Sequence, residues 1–172
     1  LHTVAKASQG LANYLCRHFP AERRSVAVSY DSRILSDAFA RTTACVLAAA
    51  GVQVWLYPEL MPTPCLSFAV RALHCAAGIM VTASHNPAKY NGYKVYNEDG
   101  CQITLKMADD ILKEIEALDI FDDVRLADFD HALTLGHIRY IPESIAADYI
   151  GAVKAQSLLD SSGIQRNFPM VY

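Results

Sequence analysis

The feature that most constrains the fold is a continuous apolar run, Gly78-Ile79-Met80-Val81, which is flanked by small residues. An uninterrupted run of this length indicates a strand that is buried on both faces, as in the centre of a parallel sheet. Such a sheet needs helices above and below it. The run therefore predicts a protein of the α/β class.

Strands and helices are predicted to alternate before this run. Strands are expected over residues 25–30 and 52–57, an opening helix ends near Pro20, and a second helix ends before Gly51. Thr63-Pro64 has the order that opens a helix, which is expected to continue to about His74. This alternation predicts a three-layer α/β/α sandwich with right-handed connections and a mainly parallel mixed sheet.

The second half of the chain predicts further elements around this sheet. Residues 93–96 and 101–103 flank the turn sequence Asn97-Glu98-Asp99-Gly100 and predict an appended hairpin. Thr104 is expected to cap a helix that reaches about Leu118, and residues 119–130 form an acidic, irregular connector. The inward face of the capped helix is predicted to consist of Leu105, Ala108, Leu112 and Ile115. A last helix is expected to start at Ser144 and to turn Ile145, Tyr149 and Val153 inward.

A polar segment, Thr82-Ala83-Ser84-His85-Asn86-Pro87, follows the buried strand directly. Ligands of open α/β sheets bind outside the carboxyl ends of the strands, so these side chains lie where chemistry is expected. Pro87 restricts the backbone of Asn86 and keeps Ser84 on a loop instead of a helix. Ser, Asn and Pro are also ordinary turn formers, so composition alone favours a simple turn.

Two further groups are predicted to reach the same edge. Lys94 follows in Asn91-Gly92-Tyr93-Lys94, and Arg33 follows the first strand in Tyr30-Asp31-Ser32-Arg33. The planar guanidinium of an arginine suits phosphate recognition. Asp31 either orients Arg33 or caps the next helix.

The hexapeptide and the downstream Asn-Gly-x-Lys together resemble the signature of the α-D-phosphohexomutases, the phosphoglucomutase/phosphomannomutase family, in their N-terminal α/β/α domain I. The resemblance implies that Ser84 is the phosphorylated catalytic residue. It would transfer a phosphoryl group between the 1- and 6-positions of a hexose phosphate through a bisphosphate intermediate. Lys94 is then implied to be a general acid or base, and Arg33 a catalytic and phosphate-binding residue. His85 would donate to a phosphate oxygen or to the substrate, and Asn86 would support the loop first and bind ligand second.

The same resemblance implies Mg²⁺ as the cofactor. The metal would be bound by an oxygen of the phosphate on Ser84 and by an aspartate cluster of domain II that this chain lacks. Domain I would cover residues 1–137, a connecting helix 138–160 and the start of domain II 161–172. Hexose phosphates, hexose bisphosphates and domains II–IV of the same polypeptide are the implied partners. Both ends interrupt a predicted element, so we expect a part of a longer protein that is inactive alone.

Other activities remain open at this stage. Within the family, a phosphopentomutase or a phosphoglucosamine mutase is the alternative. A serine hydrolase is disfavoured because its nucleophile turn needs glycines where Thr82 and Asn86 stand. A non-catalytic phosphosugar-binding module would keep Arg33 and Lys94 for anion binding without any transfer.

Composition excludes several other classes. A net charge of −3, a pI near 6.0 and no Lys/Arg run predict no nucleic-acid partner. No apolar run approaches the length of a membrane span, about 18 residues, and no leader pattern is present. The five cysteines form no C-x-x-C pair, so neither disulfides nor a zinc site is predicted. We therefore expect a cytoplasmic protein with reduced thiols.

Overall fold

The fold centres on a five-stranded sheet with the strand order β4-β3-β1-β2-β5. A computed structural model describes residues 1–158. Four strands run parallel, and β4 is antiparallel to β3 at one edge. The predicted mainly parallel mixed sheet is confirmed. The strands are β1 (Ser25–Tyr30), β2 (Gln53–Leu56), β3 (Ala77–Val81), β4 (Tyr93–Asn97) and β5 (Ile138–Tyr140).

Helices cover both faces of the sheet, which completes the predicted sandwich. One layer contains α1 (His2–His18), α2 (Ser36–Ala49), α4 (Leu105–Glu116) and α5 (Phe129–Thr134). The opposite layer contains α3 (Thr63–Ala72) and α6 (Glu143–Ala155). None of the helices described over residues 1–158 combines the length and the apolar character that crossing a bilayer requires.

Strand β3 is buried along its whole length, as the apolar run predicts. Ile79 and Val81 pack into the core on the α2 side, whereas Met80 packs into the core on the α3 side. At Gly78, an added Cβ would lie 2.5 Å from the side chain of Val70. This glycine therefore lets α3 pack directly against the middle of the sheet.

The predicted hairpin is only partly present. Residues 93–97 form β4, which is an edge strand of the sheet itself, and Gln102 makes a single isolated bridge to Tyr96. Positive φ at Gly100 (73°) supplies the predicted turn. Within the described residues, the returning segment is therefore too short to count as a strand.

The predicted cap of α4 is confirmed, but its predicted inward face is only partly right, because Ile115 packs inward and Leu105 and Leu112 do not. The Met107 backbone N–H donates to Thr104 Oγ1 at 3.3 Å. Leu105 is 86% exposed and Leu112 is 49% exposed, whereas Ile111 is buried. The helix packs on α1 instead of the sheet, where an added Cβ at Gly10 would lie 2.3 Å from Ile115. The inward row therefore consists of Met107, Ile111 and Ile115.

The region after α4 is more ordered than predicted. Helix α5 and strand β5 have no counterpart among the predicted elements, since segments of six and three residues carry little periodicity. Because β5 pairs with β2, the sheet continues past residue 137, and we now propose that domain I includes β5.

The last helix agrees with its prediction in part. Ile145 and Tyr149 pack against the α3-side core, as predicted, but Val153 is 51% exposed. The predicted start of domain II at 161–172 lies outside the described residues.

Candidate active site at the carboxyl edge of the sheet

The candidate site lies where β1 and β3 end and β4 begins. Asp31 follows β1, and its backbone N–H donates to the Val81 carbonyl at the end of β3 at 3.2 Å. Antiparallel pairing places Lys94 of β4 beside Met80 of β3. The carboxyl edge of the sheet therefore brings together the three segments that the sequence singled out.

A short contact at the centre of the site joins Ser84 and Lys94. Lys94 Nζ donates a hydrogen bond to Ser84 Oγ at 2.5 Å. Ser84 is exposed on its loop and has a φ of 54°. This left-handed conformation is uncommon for a residue other than glycine, and it persists only where the surroundings impose it. The serine hydroxyl is thus presented to solvent beside a cation.

Thr82 holds the amide side of Ser84. The Ser84 N–H donates to Thr82 Oγ1 at 2.9 Å, and the Thr82 hydroxyl donates to Asp31 Oδ2 at 2.5 Å. Thr82 is only 5% exposed, so these bonds are sheltered from water. The motif alone assigns no separate role to Thr82, although a hydroxyl two residues before the key serine is a typical local acceptor.

Arg33 holds the carbonyl side of the loop. Its Nη2 donates to the carbonyls of Ser84 at 2.7 Å and Asn86 at 2.6 Å. Its Nη1 donates to the carbonyls of Tyr90 at 2.9 Å and Pro87 at 3.2 Å. The guanidinium that the resemblance implies to bind phosphate is therefore wrapped by the loop of residues 84–90.

Asp31 orients Arg33, and the alternative of a helix cap is wrong because Leu35 occupies the N-cap of α2. Asp31 Oδ2 lies 3.5 Å from Arg33 Nε, and Asp31 Oδ1 accepts from the Arg33 backbone N–H and the Ser36 hydroxyl, both at 3.0 Å. Burial raises the pKa of Asp31, but hydrogen bonds from Thr82, Arg33 and Ser36 and the Arg33 charge outweigh burial and lower this pKa below its ordinary value. The carboxylate is therefore the ionised anchor of the site.

The remaining predicted residues lie on the same loop. His85 and Asn86 are exposed beside Ser84. Asn86 takes part in the loop through its backbone, whose N–H donates to the Ala83 carbonyl at 3.0 Å. Both side chains are thus available at the surface next to the serine.

Asn91 and Gly92 close the loop, and the motif alone assigns neither a specific role. Asn91 Nδ2 donates to Ser36 Oγ at 2.9 Å, and Asn91 Oδ1 accepts from the Gly92 N–H at 2.8 Å. An added Cβ at Gly92 would lie 2.5 Å from the Thr82 carbonyl oxygen. The glycine permits this close approach, which brings the chain back against β3 directly before Lys94.

The described residues do not form a metal site by themselves. No group of three or more His, Cys, Asp or Glu side chains suited to a metal ion occurs within residues 1–158. A phosphate on Ser84 would supply oxygen ligands of the kind that Mg²⁺ prefers, but the carboxylate cluster implied by the resemblance has no counterpart in this range.

Comparison with known proteins shows which family the chain belongs to. The sequence profile of the phosphoglucomutase/phosphomannomutase alpha/beta/alpha domain I matches residues 1–120, which include the whole loop and Lys94. The chain belongs to the phosphoglucomutase/phosphomannomutase family. The predicted resemblance is thereby confirmed.

Two relatives show how similar the chain is to known members of the family. A phosphoglucomutase of Staphylococcus saprophyticus is 38% identical over 153 residues, which are 89% of this chain and 27% of the relative. A Schizosaccharomyces pombe protein provisionally named phosphoribomutase is 49% identical over 102 residues, 59% of this chain and 17% of its own length. The chain thus spans about a quarter or less of these relatives.

A solved structure supports the fold beyond the matched residues. A Thermus thermophilus protein provisionally named phosphomannomutase superposes with a TM-score of 0.74 at 32% identity. The superposition covers 89% of this chain and 31% of the Thermus chain. It therefore extends past the 120 residues that the family profile matches.

Proposed function

We propose that this chain is domain I of a phosphohexomutase in which Ser84 carries the transferred phosphoryl group. The observation that carries the proposal is the 2.5 Å contact between Lys94 Nζ and Ser84 Oγ on an exposed loop at the carboxyl edge of the sheet. A serine hydroxyl is a poor nucleophile and leaving group alone, so it needs a neighbouring group that manages charge and protons. Lys94 is in contact with the atom that needs this help.

The phosphoryl transfer can be written with Ser84, Lys94 and a hexose monophosphate so that every bond and proton is accounted for. The bond between phosphorus and Ser84 Oγ breaks, and a bond forms between phosphorus and a free sugar hydroxyl. Lys94 delivers a proton to Ser84 Oγ as it leaves, and the resulting amine takes the proton of the attacking hydroxyl. In the second half of the cycle, the bisphosphate returns its other phosphoryl group to Ser84. The product is the isomeric monophosphate.

The substrate class is proposed on the names of the relatives. Phosphoglucomutase and phosphomannomutase relatives support a hexose phosphate, with hexose bisphosphate as the intermediate. The Schizosaccharomyces pombe relative keeps a pentose phosphate as the second candidate. Mg²⁺ remains an expectation, because its carboxylate ligands would have to come from outside residues 1–158. A cytoplasmic location remains an expectation from the cysteine pattern of the sequence.

The two rival activities receive less support. A serine hydrolase needs glycines two positions before and after its nucleophile, and Thr82 and Asn86 occupy those positions around Ser84. A passive phosphosugar-binding module would use Arg33 for anion binding, but its Nη donors are directed at loop carbonyls.

Intact-mass analysis of the full-length protein, purified without phosphatase, tests the proposal. We expect a fraction that carries one phosphoryl group, which peptide mapping assigns to Ser84. Incubation with a hexose bisphosphate should increase this fraction. The Ser84→Ala variant is the control and should carry none. Phosphorylation confined to another residue would contradict the proposal.

A further inference from the structure

Both backbone groups of Ser84 are held by side chains that also contact Asp31. The Ser84 N–H donates to Thr82 Oγ1 at 2.9 Å, and the Ser84 carbonyl accepts from Arg33 Nη2 at 2.7 Å. Asp31 Oδ2 accepts from the Thr82 hydroxyl at 2.5 Å and lies 3.5 Å from Arg33 Nε. One carboxylate therefore connects the two contacts that fix the peptide units on either side of Ser84.

The guanidinium of Arg33 is fully engaged by this arrangement. A guanidinium has five N–H groups in a rigid planar fork. The four on Nη1 and Nη2 point at carbonyls of residues 84–90, and Nε faces Asp31. The Arg33 side chain is only 13% exposed. A substrate phosphate could reach these donors only if the loop released them.

Arg33, held by Asp31 and bonded to the carbonyls of residues 84–90, is called the clamp below. The conformation of Ser84 explains why this clamp is needed. A φ of 54° at a serine costs energy relative to the ordinary regions and relaxes unless its neighbours prevent it. Relaxation would turn the Ser84 hydroxyl away from Lys94. Displacement of a reacting atom by about 1 Å can reduce turnover about 10²-fold.

We propose that Arg33, itself held by Asp31, is a positioning residue that aims the Ser84 hydroxyl, and that it does not bind substrate phosphate. The catalytic part of this inference rests on the proposed function of Ser84. The structural part of the inference does not rest on the proposed function. Whether the clamp orders residues 84–90 can be measured whatever reaction the protein catalyses.

Limited proteolysis of the full-length protein tests the structural part. Lys89 lies on the exposed side of the clamped loop, so trypsin cleavage after Lys89 reports how far the loop opens. We expect Arg33→Ala to accelerate this cleavage at least about 10-fold while the melting temperature shows a folded protein. Arg33→Lys should behave in the same way, because one ammonium group cannot reach four carbonyls.

Arg24 provides a matched control. Its guanidinium also binds two backbone carbonyls, those of Phe19 at 2.9 Å and Cys16 at 3.0 Å. Arg24 directly precedes β1 and therefore lies at the amino ends of the parallel strands, away from the site. Arg24→Ala should leave both the cleavage after Lys89 and the turnover unchanged. Unchanged cleavage in Arg33→Ala and Arg33→Lys would overturn the clamp.

Steady-state kinetics and chemical rescue test the catalytic part. A positioning residue predicts a kcat that falls about 10²-fold in Arg33→Ala with little change in KM, whereas a phosphate ligand predicts a raised KM with kcat retained. Millimolar guanidinium, far below denaturing concentrations, should restore part of kcat in Arg33→Ala and slow cleavage after Lys89. It should not rescue Thr82→Val.

A raised KM at unchanged kcat would overturn the inference. If the wild-type protein has neither mutase turnover nor phosphate on Ser84, the proposed function fails, and cleavage after Lys89 still decides the role of Arg33.

Discussion

Lys94 Nζ lies 2.5 Å from Ser84 Oγ because the strand that delivers the lysine pairs with the strand that delivers the serine. The register pairs Met80 of β3 with Lys94 of β4, and Ser84 lies three residues past the end of β3. Side chains alternate between the two faces of a strand, so a slip of one residue would turn Lys94 to the other face of the sheet. The pairing register is therefore part of the site.

Removal of the Lys94 amine should disable the proposed chemistry without unfolding the protein. In the full-length protein, we expect Lys94→Ala to lower kcat by roughly 10²–10⁴-fold, the scale of a positioned acid or base. Melting temperature and kcat would be measured together. Lys89→Ala, which removes an exposed lysine from the same loop, is the control and should keep its turnover. Wild-type turnover in Lys94→Ala would leave the lysine without a role in transfer.

Thr82→Val tests the hydrogen bonds below Ser84. The change keeps the side-chain shape but removes the acceptor for the Ser84 N–H and the donor to Asp31. Loss of these sheltered bonds should lower the free energy of unfolding by about 1–3 kcal/mol, as measured in urea. Thr42→Val is the control, because among residues 1–158 its hydroxyl bonds only to the Ala38 carbonyl within α2. Equal stability of the two variants would contradict the importance of the Thr82 contacts.

The ionised state of Asp31 should make stability depend on pH. Its pKa in the folded protein is lowered, so its stabilising contribution is fully present above the ordinary aspartate pKa of about 3.9 and is lost as pH falls through the lowered value. The difference in unfolding free energy between wild type and Asp31→Asn should therefore be largest near neutral pH and shrink in acid. A constant difference across the pH range would contradict the assignment.

Gly92→Ala should disturb the close approach of the chain to β3. The new Cβ would lie 2.5 Å from the Thr82 carbonyl oxygen, and we expect a loss of about 1–3 kcal/mol in the free energy of unfolding. Gly151→Ala is the control. No atom of residues 1–158 lies within 4 Å of its Cβ position on α6, so this change should stabilise the helix by about 1 kcal/mol. Thermal and urea unfolding would measure both variants, and a stable Gly92→Ala protein would contradict the contact.

The 172-residue chain by itself should fold but show no mutase turnover. It spans 27% of the Staphylococcus saprophyticus relative, and phosphoryl transfer depends mainly on groups that orient the substrate and stabilise charge. The assay would combine the chain with glucose 1-phosphate, a hexose bisphosphate and Mg²⁺. Steady formation of glucose 6-phosphate would show that this domain is sufficient.

Several features could be predicted from local sequence because their causes are local. The apolar run at residues 78–81 indicated a strand buried on both faces, and Thr104 indicated the start of α4. The position of Ser84 on a loop after that strand follows from Pro87 and from the end of the apolar run. The motif also connected Ser84 with Lys94, which the structure places in contact.

Other features depend on which surfaces meet. The predicted inward face of α4 is wrong at Leu105 and Leu112 because two apolar rows of that helix share Ile115. Packing against the rest of the core selects the row that contains Ile111. Strand β5 is too short to carry a pattern and exists because β2 offers it an open edge.

The sequence by itself determined the α/β class, the buried strand and the identity of the loop that carries Ser84, since these depend on short runs and single residues. Only the tertiary structure decided the role of Arg33. Its chemistry suits a phosphate and a cluster of carbonyls equally well, and the choice depends on where residues 84–90 lie after β1 and β3 have paired. A donor forms a hydrogen bond with an acceptor that the fold brings within about 3 Å, and a sequence pattern does not specify that distance.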